Sequence, residues 1–356
     1  PHCDTPKQRL YFLGYMTNKL IQTSLGWKKC SDRDSYKNKR LDLAGVLLNN
    51  LFRNYFNKLV KDMSKQIIRE INNGSWKSTY NYTNIINSTN VYKIIKSTTI
   101  ENGIKRALAT GDFGIKNTNS NKSGVAQVLS RLTYISALSH LRRVNTPIDK
   151  SGKLIPPRKL HNTQWGFICL AESPEGGGVG VVKNLGYMTH ITIRSNIDTI
   201  YNVLKDKYVK IETLSPPELH GEVKLIVNGN WIGIIEKESV VETYKYLKEC
   251  KYSGKINIFT SVVFDYKNKE IVICNDAGRL TRPVYKVQNG KTLMETNTKI
   301  SNDINMKKIE WNDMLVDSDY GSSIIEYIDP SEQNSSYIAT DQTKLQQSKT
   351  HTHCEI

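Results

Sequence analysis

The strongest periodic signal in the 356-residue chain lies between residues 48 and 71. Leu48, Leu51, Phe52, Tyr55, Leu59, Met63, Ile67 and Ile71 recur at spacings of three and four. That interval places apolar side chains on one stripe of an α-helix. Asn73, Gly74 and Ser75 supply a stop. Upstream, the apolar run L-Y-F-L-G-Y-M at residues 10–16 continues to Leu20 and Ile21 and predicts an earlier helix. The polar residues 31–40 read as a loop. Residues 75–92, rich in asparagine, serine and threonine, predict loop or weak structure. Residues 117–122 (N-T-N-S-N-K) are turn-prone, and Ser123 is placed to cap a helix carrying Val125, Val128, Leu129 and Leu132.

After about residue 190 the period shifts toward two. Val223, Leu225 and Val227 alternate, Asn228-Gly229 is a type I′ hairpin signal, and Trp231, Ile232 and Ile234 follow. Residues 256–263 and 270–274 flank Lys267, Asn268 and Lys269 and predict a second hairpin. Residues 324–328, Asp329-Pro330 and residues 337–339 predict a third. Helix first and mixed structure afterwards gives a multidomain α+β fold.

At this length the chain accommodates two or three domains of ~100–200 residues. Its formal net charge of +16 favours a polyanionic partner. Part of that surplus follows a general bias toward lysine, asparagine, isoleucine and tyrosine of the kind A+T-rich coding produces. Cys3, Cys30, Cys169, Cys250, Cys274 and Cys354 are scattered without a C-x-x-C pair. They read as free thiols in a reducing, intracellular setting. No apolar run approaches the ~18 residues of a membrane span.

Residues 141–161 hold the densest local charge. Arg142, Arg143, Lys150, Lys153, Arg158 and Lys159 face one acid, Asp149, and Pro147, Gly152, Pro156 and Pro157 keep the backbone in turns. A loop stiffened in this way presents cations to phosphates at low entropic cost. On composition alone a solvated surface loop is the simpler reading. Next comes A-E-S-P-E-G-G-G-V-G at 171–180. It is no P-loop, because no Gly-Lys-Ser/Thr follows, and no dinucleotide fingerprint. Glu172 and Glu175 are carboxylates that could tune a site, although a plain turn is the simpler reading. His351, His353 and Cys354 lack an evident fourth zinc ligand. Asp317-x-Asp319 falls short of the acidic cluster that two-metal nucleotidyl transfer needs. No nucleophile elbow is present.

Ten short motifs, in order, resemble the second-largest subunit of multisubunit DNA-directed RNA polymerases. They are D-R-D at 32–34 followed by N-K-R-L-D-L-A-G at 38–45; A-L-A-T-G at 107–111; G-V-A-Q-V-L at 124–129; L-S-H-L-R-R at 138–143; N-T-P-I at 145–148; H-N-T-Q-W-G at 161–166; A-E-S-P-E-G at 171–176; V-K-N-L at 182–185; D-A-G-R at 276–279; and T-H-C-E-I at 352–356. The resemblance is nearer to the eukaryotic and archaeal type and, with the composition, points to a large DNA virus. Leu170, Ser173, Gln164 and Asp112-Phe113 depart mildly from the family pattern.

The resemblance implies a domain map: residues 1–110 as lobe end and part of the protrusion, 111–190 as the fork, 191–285 as the first external domain, and 286–356 as the second external domain and the start of the hybrid-binding region. It implies one fork loop at residues 114–123 and another at 145–158, where Arg142, Arg143, Lys150, Lys153, Arg158 and Lys159 would lie against nucleic-acid backbone. Glu172 would stand near the incoming nucleotide without performing the chemistry. The family continues past T-H-C-E-I, so an internal segment is expected, inactive alone. Its expected partners are the largest subunit, other polymerase subunits, the DNA template and the RNA–DNA hybrid, with no membrane. Mg2+ is expected in the assembled enzyme, held mainly by the largest subunit, in host cytoplasm, nucleus or virion. The alternative is a nucleic-acid-binding scaffold module that never enters a polymerase; an independent hydrolase using Cys or His is a remote third.

Overall fold

A computed structural model describes residues 2–74, 85–88, 90–114, 123–148, 150, 152, 154–296, 298–317 and 322–354. The chain divides into two compact units, Asp42–Lys153 and the combination of Pro1–Leu41 with Leu154–Ile356. The larger unit opens with helix α1, Pro6–Ser24, capped by Thr5, whose hydroxyl accepts from the Gln8 amide. This is the helix expected from the run at 10–21, and residues 31–40 carry no regular element.

The smaller unit is helical: α2 (Ala44–Asn73), α3 (Val91–Ile94), α4 (Thr98–Thr110) and α5 (Tyr134–Leu141), followed by a short strand β1 (Arg143–Asn145). Helix α2 follows the predicted stripe and ends before Gly74. Only Leu51 of that stripe is fully buried, against Ala107 and Phe113 with Leu47, Tyr55, Ile104, Val125 and Ala126 around them. The expected helix after Ser123 does not form. Val125 instead donates its amide to the Gly111 carbonyl and packs with Ala126 against the α2–α4 core. The helix starts ten residues later, where Thr133 and Ser136 close a reciprocal capping box. His140 on α5 accepts from the Ser130 amide and meets Gln127 at 2.9 Å, tying residues 127–130, which carry no regular element, to α5. Val128 and Leu132, expected on an apolar face, are exposed.

In the larger unit the chain continues through β2 (Val182–Asn184), β3 (His190–Ile191), α6 (Asp198–Leu204), β4 (Val209–Lys210), β5 (Val223–Val227), β6 (Asn230–Ile235), α7 (Val240–Tyr252), β7 (Ser261–Asp265) and β8 (Glu270–Cys274). A five-stranded sheet runs β4-β6-β5-β8-β7. The hairpin at Asn228-Gly229 forms as expected, with both residues at positive φ. Alternation sends Val223, Leu225 and Val227 to one face, under α6 and α7. Ile226, Trp231 and Ile234 go to the other, under Tyr11 and Tyr15 of α1. The second hairpin also forms, but its first strand begins at Ser261.

Strand β9 (Leu280–Gln288) is the hub of the other sheet. It pairs with β3, with β10 (Lys291–Thr292), with β11 (Ile325–Ile328) and with β13 (His351–His353). Helices α8 (Leu293–Thr296) and α9 (Thr298–Asn305) precede β11. The third predicted hairpin is corrected. Asp329 caps helix α10 (Pro330–Ser335), accepting from the Ser331 and Glu332 amides, with Pro330 at the first helical position. Strand β12 (Ile338–Ala339) then pairs in parallel with β13 rather than with β11.

One buried ion cluster joins the two sheets. Lys248 and Lys251 of α7 meet Glu326 of β11 at 2.7 and 3.0 Å and Glu332 of α10 at 2.6 and 3.0 Å. Tyr252 donates to Glu326, the Val262 amide donates to Glu332, and His351 lies 3.2 Å from Glu326. Burial alone would raise the Glu326 pKa, but Lys248, Lys251 and His351 hold it well below the usual carboxylate range. Burial would likewise lower Lys248, and Glu326 and Glu332 overcome it and raise it.

Removing one partner of such a cluster leaves a buried charge uncompensated. Lys251→Met is expected to destabilise the chain by about 3–5 kcal/mol, read from denaturant midpoints; a neutral result would show that the cluster does not hold the sheets together. The Glu326 contribution is present above its unfolded pKa of ~4.3 and disappears as pH falls through the depressed folded value. The Lys248 contribution is present below ~10.4 and disappears as pH rises through its raised value. Stability measured against pH should therefore fall at both extremes.

Candidate functional site

The glycine-rich segment is the tip of a ribbon. Phe167 and Ile168 are buried beside Tyr36 and Leu280. Residues 167–169 zip against 184–186: the Cys169 amide donates to the Asn184 carbonyl and the Gly186 amide to that of Phe167, each at 2.8 Å. Residues 170–177, Glu172 and Glu175 among them, stand exposed beyond that zip. A single 3-10 turn spans Gly176–Gly178.

The tip is fastened to residues 154–158, in the same unit. Arg158 Nη1 donates to the carbonyls of Gly177 at 2.7 Å and Val179 at 2.9 Å, and its Nε donates to that of Leu154 at 3.2 Å. Gly180 has φ +67°, and a Cβ there would lie 2.3 Å from the Arg158 carbonyl oxygen. Buried Lys183 donates to the Pro157 carbonyl at 3.2 Å, and burial, reinforced by Lys39, lowers its pKa. Longer contacts close the ribbon side: the Gly180 amide to Ser173 Oγ and Asn184 Nδ2 to the Glu172 carbonyl, both 3.4 Å.

Next to this, His161 Nε2 lies 2.7 Å from Asp32, and its Nδ1 accepts from the Thr163 amide. The Thr163 hydroxyl accepts from the Tyr36 amide at 2.9 Å. The His161 hydrogen bond holds the Asp32 carboxyl below its ordinary value. The loop at 31–41 is thereby tied beneath the ribbon, and Arg40 binds Asp276 at 2.6 Å.

The cations singled out by sequence fall in both units. Arg142, exposed Arg143 and exposed Lys150 belong to the smaller; Arg158 and exposed Lys159 belong to the larger. Lys153, Asp149 and most of the loop at 114–123 lie outside the described residues. Sequence reasoning placed Arg158 among backbone-facing cations and missed its carbonyl partners, for which no pattern in the sequence gives a signal. It also missed His161–Asp32, separated by 129 positions.

The residues weighed as metal ligands have other partners. His351 faces Glu326, and His353 Nδ1 accepts from Arg282 at 2.7 Å. Burial, then Arg282, pulls His353 down to about 4, and burial pushes the Cys354 thiol up to about 12. Asp317 accepts from the Ser323 amide, and Asp319 lies outside the described residues. Among the described residues no group of three His, Cys, Asp or Glu could hold a metal ion. All six cysteines are free. No described helix is long and apolar enough to cross a membrane.

Three family models match the chain: RNA polymerase Rpb2, domain 2, over residues 1–42; domain 3 over 127–191; and domain 4 over 225–288. DNA-directed RNA polymerase II subunit 2 of Arabidopsis thaliana is 37% identical over 367 residues, covering 100% of this chain and 29% of that protein. Subunit RPB2 of Encephalitozoon cuniculi is 37% identical, covering 99% and 30%. DNA-directed RNA polymerase subunit 2 of Acanthamoeba polyphaga mimivirus is 33% identical over 343 residues, covering 93% and 26%. The chain thus spans roughly three-tenths of the length of these relatives.

Two glycines of the turn should respond differently to alanine. Gly176 also has positive φ but open space around it, so Gly176→Ala should cost about 1–2 kcal/mol locally. Gly180→Ala adds a backbone collision and should cost more, about 2–4 kcal/mol in all. Amide exchange across residues 172–186 measures both; equal effects would remove the close approach of Arg158 as a constraint.

Proposed function

Because the chain belongs to the family of second-largest subunits of DNA-directed RNA polymerases, we propose that it forms part of the wall of an active-centre cleft in which RNA is made on a DNA template. The observation that carries this reading is the exposed Glu172 turn, fastened to the proline-stiffened limb at 154–158. A rigid, solvent-facing carboxylate turn beside cationic chain suits positioning and electrostatics, not covalent chemistry. Nucleotidyl transfer with Mg2+ is assigned to the assembled enzyme, whose largest subunit would hold the metal mainly through aspartates. Glu172 would lie near the incoming nucleoside triphosphate and tune its placement.

Arg142, Arg143, Lys150 and Lys159 would contact nucleic-acid backbone near the point where downstream duplex opens. Such contacts carry no sequence preference and weaken with salt. The other polymerase subunits, the template and the RNA–DNA hybrid would be the partners, inside a reducing intracellular compartment that suits free thiols.

Replacing Lys150 and Lys159 with alanine in the assembled polymerase is expected to weaken downstream-DNA binding. The slope of log K against log salt should flatten by about 0.9 for each phosphate that a lysine no longer neutralises. An unchanged slope would take these lysines out of the interface. Failure of the chain to co-purify with any largest subunit would favour a scaffold module instead.

A further inference from the structure

We infer that Arg158 is a positioning residue for the Glu172 turn rather than one more phosphate contact; the role given to Glu172 rests on the polymerase reading above. The two short hydrogen bonds from Arg158 Nη1 hold the carbonyls of Gly177 and Val179, and Nε holds that of Leu154. The guanidinium thus bridges two chain segments, and its planar fork is what allows one side chain to do so. The backbone repeats the join: the Arg158 carbonyl sits against Gly180 with no room for a Cβ, and Lys183 grips the Pro157 carbonyl.

Opposite these contacts, the turn is closed by bonds of 3.4 Å, from Asn184 to the Glu172 carbonyl and from Gly180 to Ser173. The shorter, charge-assisted bonds from Arg158 are the stronger ones. Glu172 precedes Gly177 by five residues with Pro174 between them, so freeing Gly177 and Val179 releases the frame that carries the carboxylate. A displacement of the limb at 154–158 is handed to Glu172 through the same bonds.

The test uses assembled polymerase carrying Arg158→Ala, Arg158→Lys, Glu172→Ala or the Arg158→Ala/Glu172→Ala pair. Nucleotide addition is measured against nucleoside triphosphate concentration, DNA binding against salt, and amide exchange across residues 172–180. Arg158→Ala should raise the apparent KM on the order of tenfold, leave the salt slope unchanged and speed exchange in the turn. Arg158→Lys, which keeps the charge and loses the fork, should behave like Arg158→Ala. The double variant should be no worse than the more impaired single one.

Rescue by lysine together with a flatter salt slope in Arg158→Ala would make Arg158 a phosphate contact and overturn the inference. Unchanged exchange at 172–180 in Arg158→Ala would also overturn it. If Glu172→Ala leaves the concentration dependence intact, the assignment of Glu172 to the nucleotide fails, while faster exchange in Arg158→Ala would still uphold the clamp.

Discussion

Two lysines and two glutamates, buried together, govern how the larger unit is assembled. Lys248 and Lys251 sit nearly one helical turn apart on α7 and reach Glu326 and Glu332 on the other sheet and its helix. Desolvating four charges is costly, and only a complete, hydrogen-bonded set offsets that cost. The cluster therefore cannot be half made. Tyr252, the Val262 amide, the Tyr327 carbonyl and His351 supply the remaining bonds. With α7 fixed in this way, the five-stranded sheet and the β9 sheet have one mutual arrangement. Arg279 extends the constraint, bonding Asp329 at 3.2 Å and the Phe259 carbonyl at 2.8 Å.

That arrangement reaches the exposed turn through β9. Leu280, at its start, packs with Phe167, Ile168 and Tyr36. Arg282, two residues on, lies over the Phe167 ring and binds Gln333 and His353. The root of the ribbon is thus set by the core, and its tip by Arg158. Rigid roots and short, charge-assisted tethers are what a positioning element requires; mobile side chains on a loose loop would lose the geometry that makes a charge useful.

Much of this architecture was readable where local signals and burial agree. Helix α2 and the Asn228-Gly229 hairpin are such cases, with period and turn chemistry pointing the same way. The segment at 123–132 shows the opposite. Its apolar residues suited a helix, but the Val125 amide had a better partner in the Gly111 carbonyl, and Thr133-Ser136 formed a better cap. At 324–339 the strands were visible, while Asp329-Pro330 was a helix start, not a turn. The ion cluster was invisible because its lysines and glutamates lie about 80 positions apart and look like ordinary surface charge. In the site, the motifs located the Glu172 turn and the basic limb. Backbone carbonyls carry no sequence signature, so the partners of Arg158 could not be read.

The net charge of +16 overstates what a polyanion would meet. Lys183, Lys251, Arg279 and Arg282 are all buried. Lys251 and Arg279 are matched by carboxylates inside the fold. Lys183 and Arg282 meet neutral acceptors, and burial lowers Arg282 only to about 10, so it stays charged at neutral pH. Such cations stabilise or strain the interior and release no counterions from nucleic acid. Arg158, half-buried, also turns three of its hydrogen bonds onto carbonyls of its own chain. The electrostatic case for nucleic acid must therefore rest on where exposed cations such as Arg143, Lys150 and Lys159 are held, not on how many the chain contains. Within two consecutive residues the proline-stiffened limb thus turns one cation, Arg158, onto the carbonyls of Leu154, Gly177 and Val179 and leaves the next, Lys159, exposed.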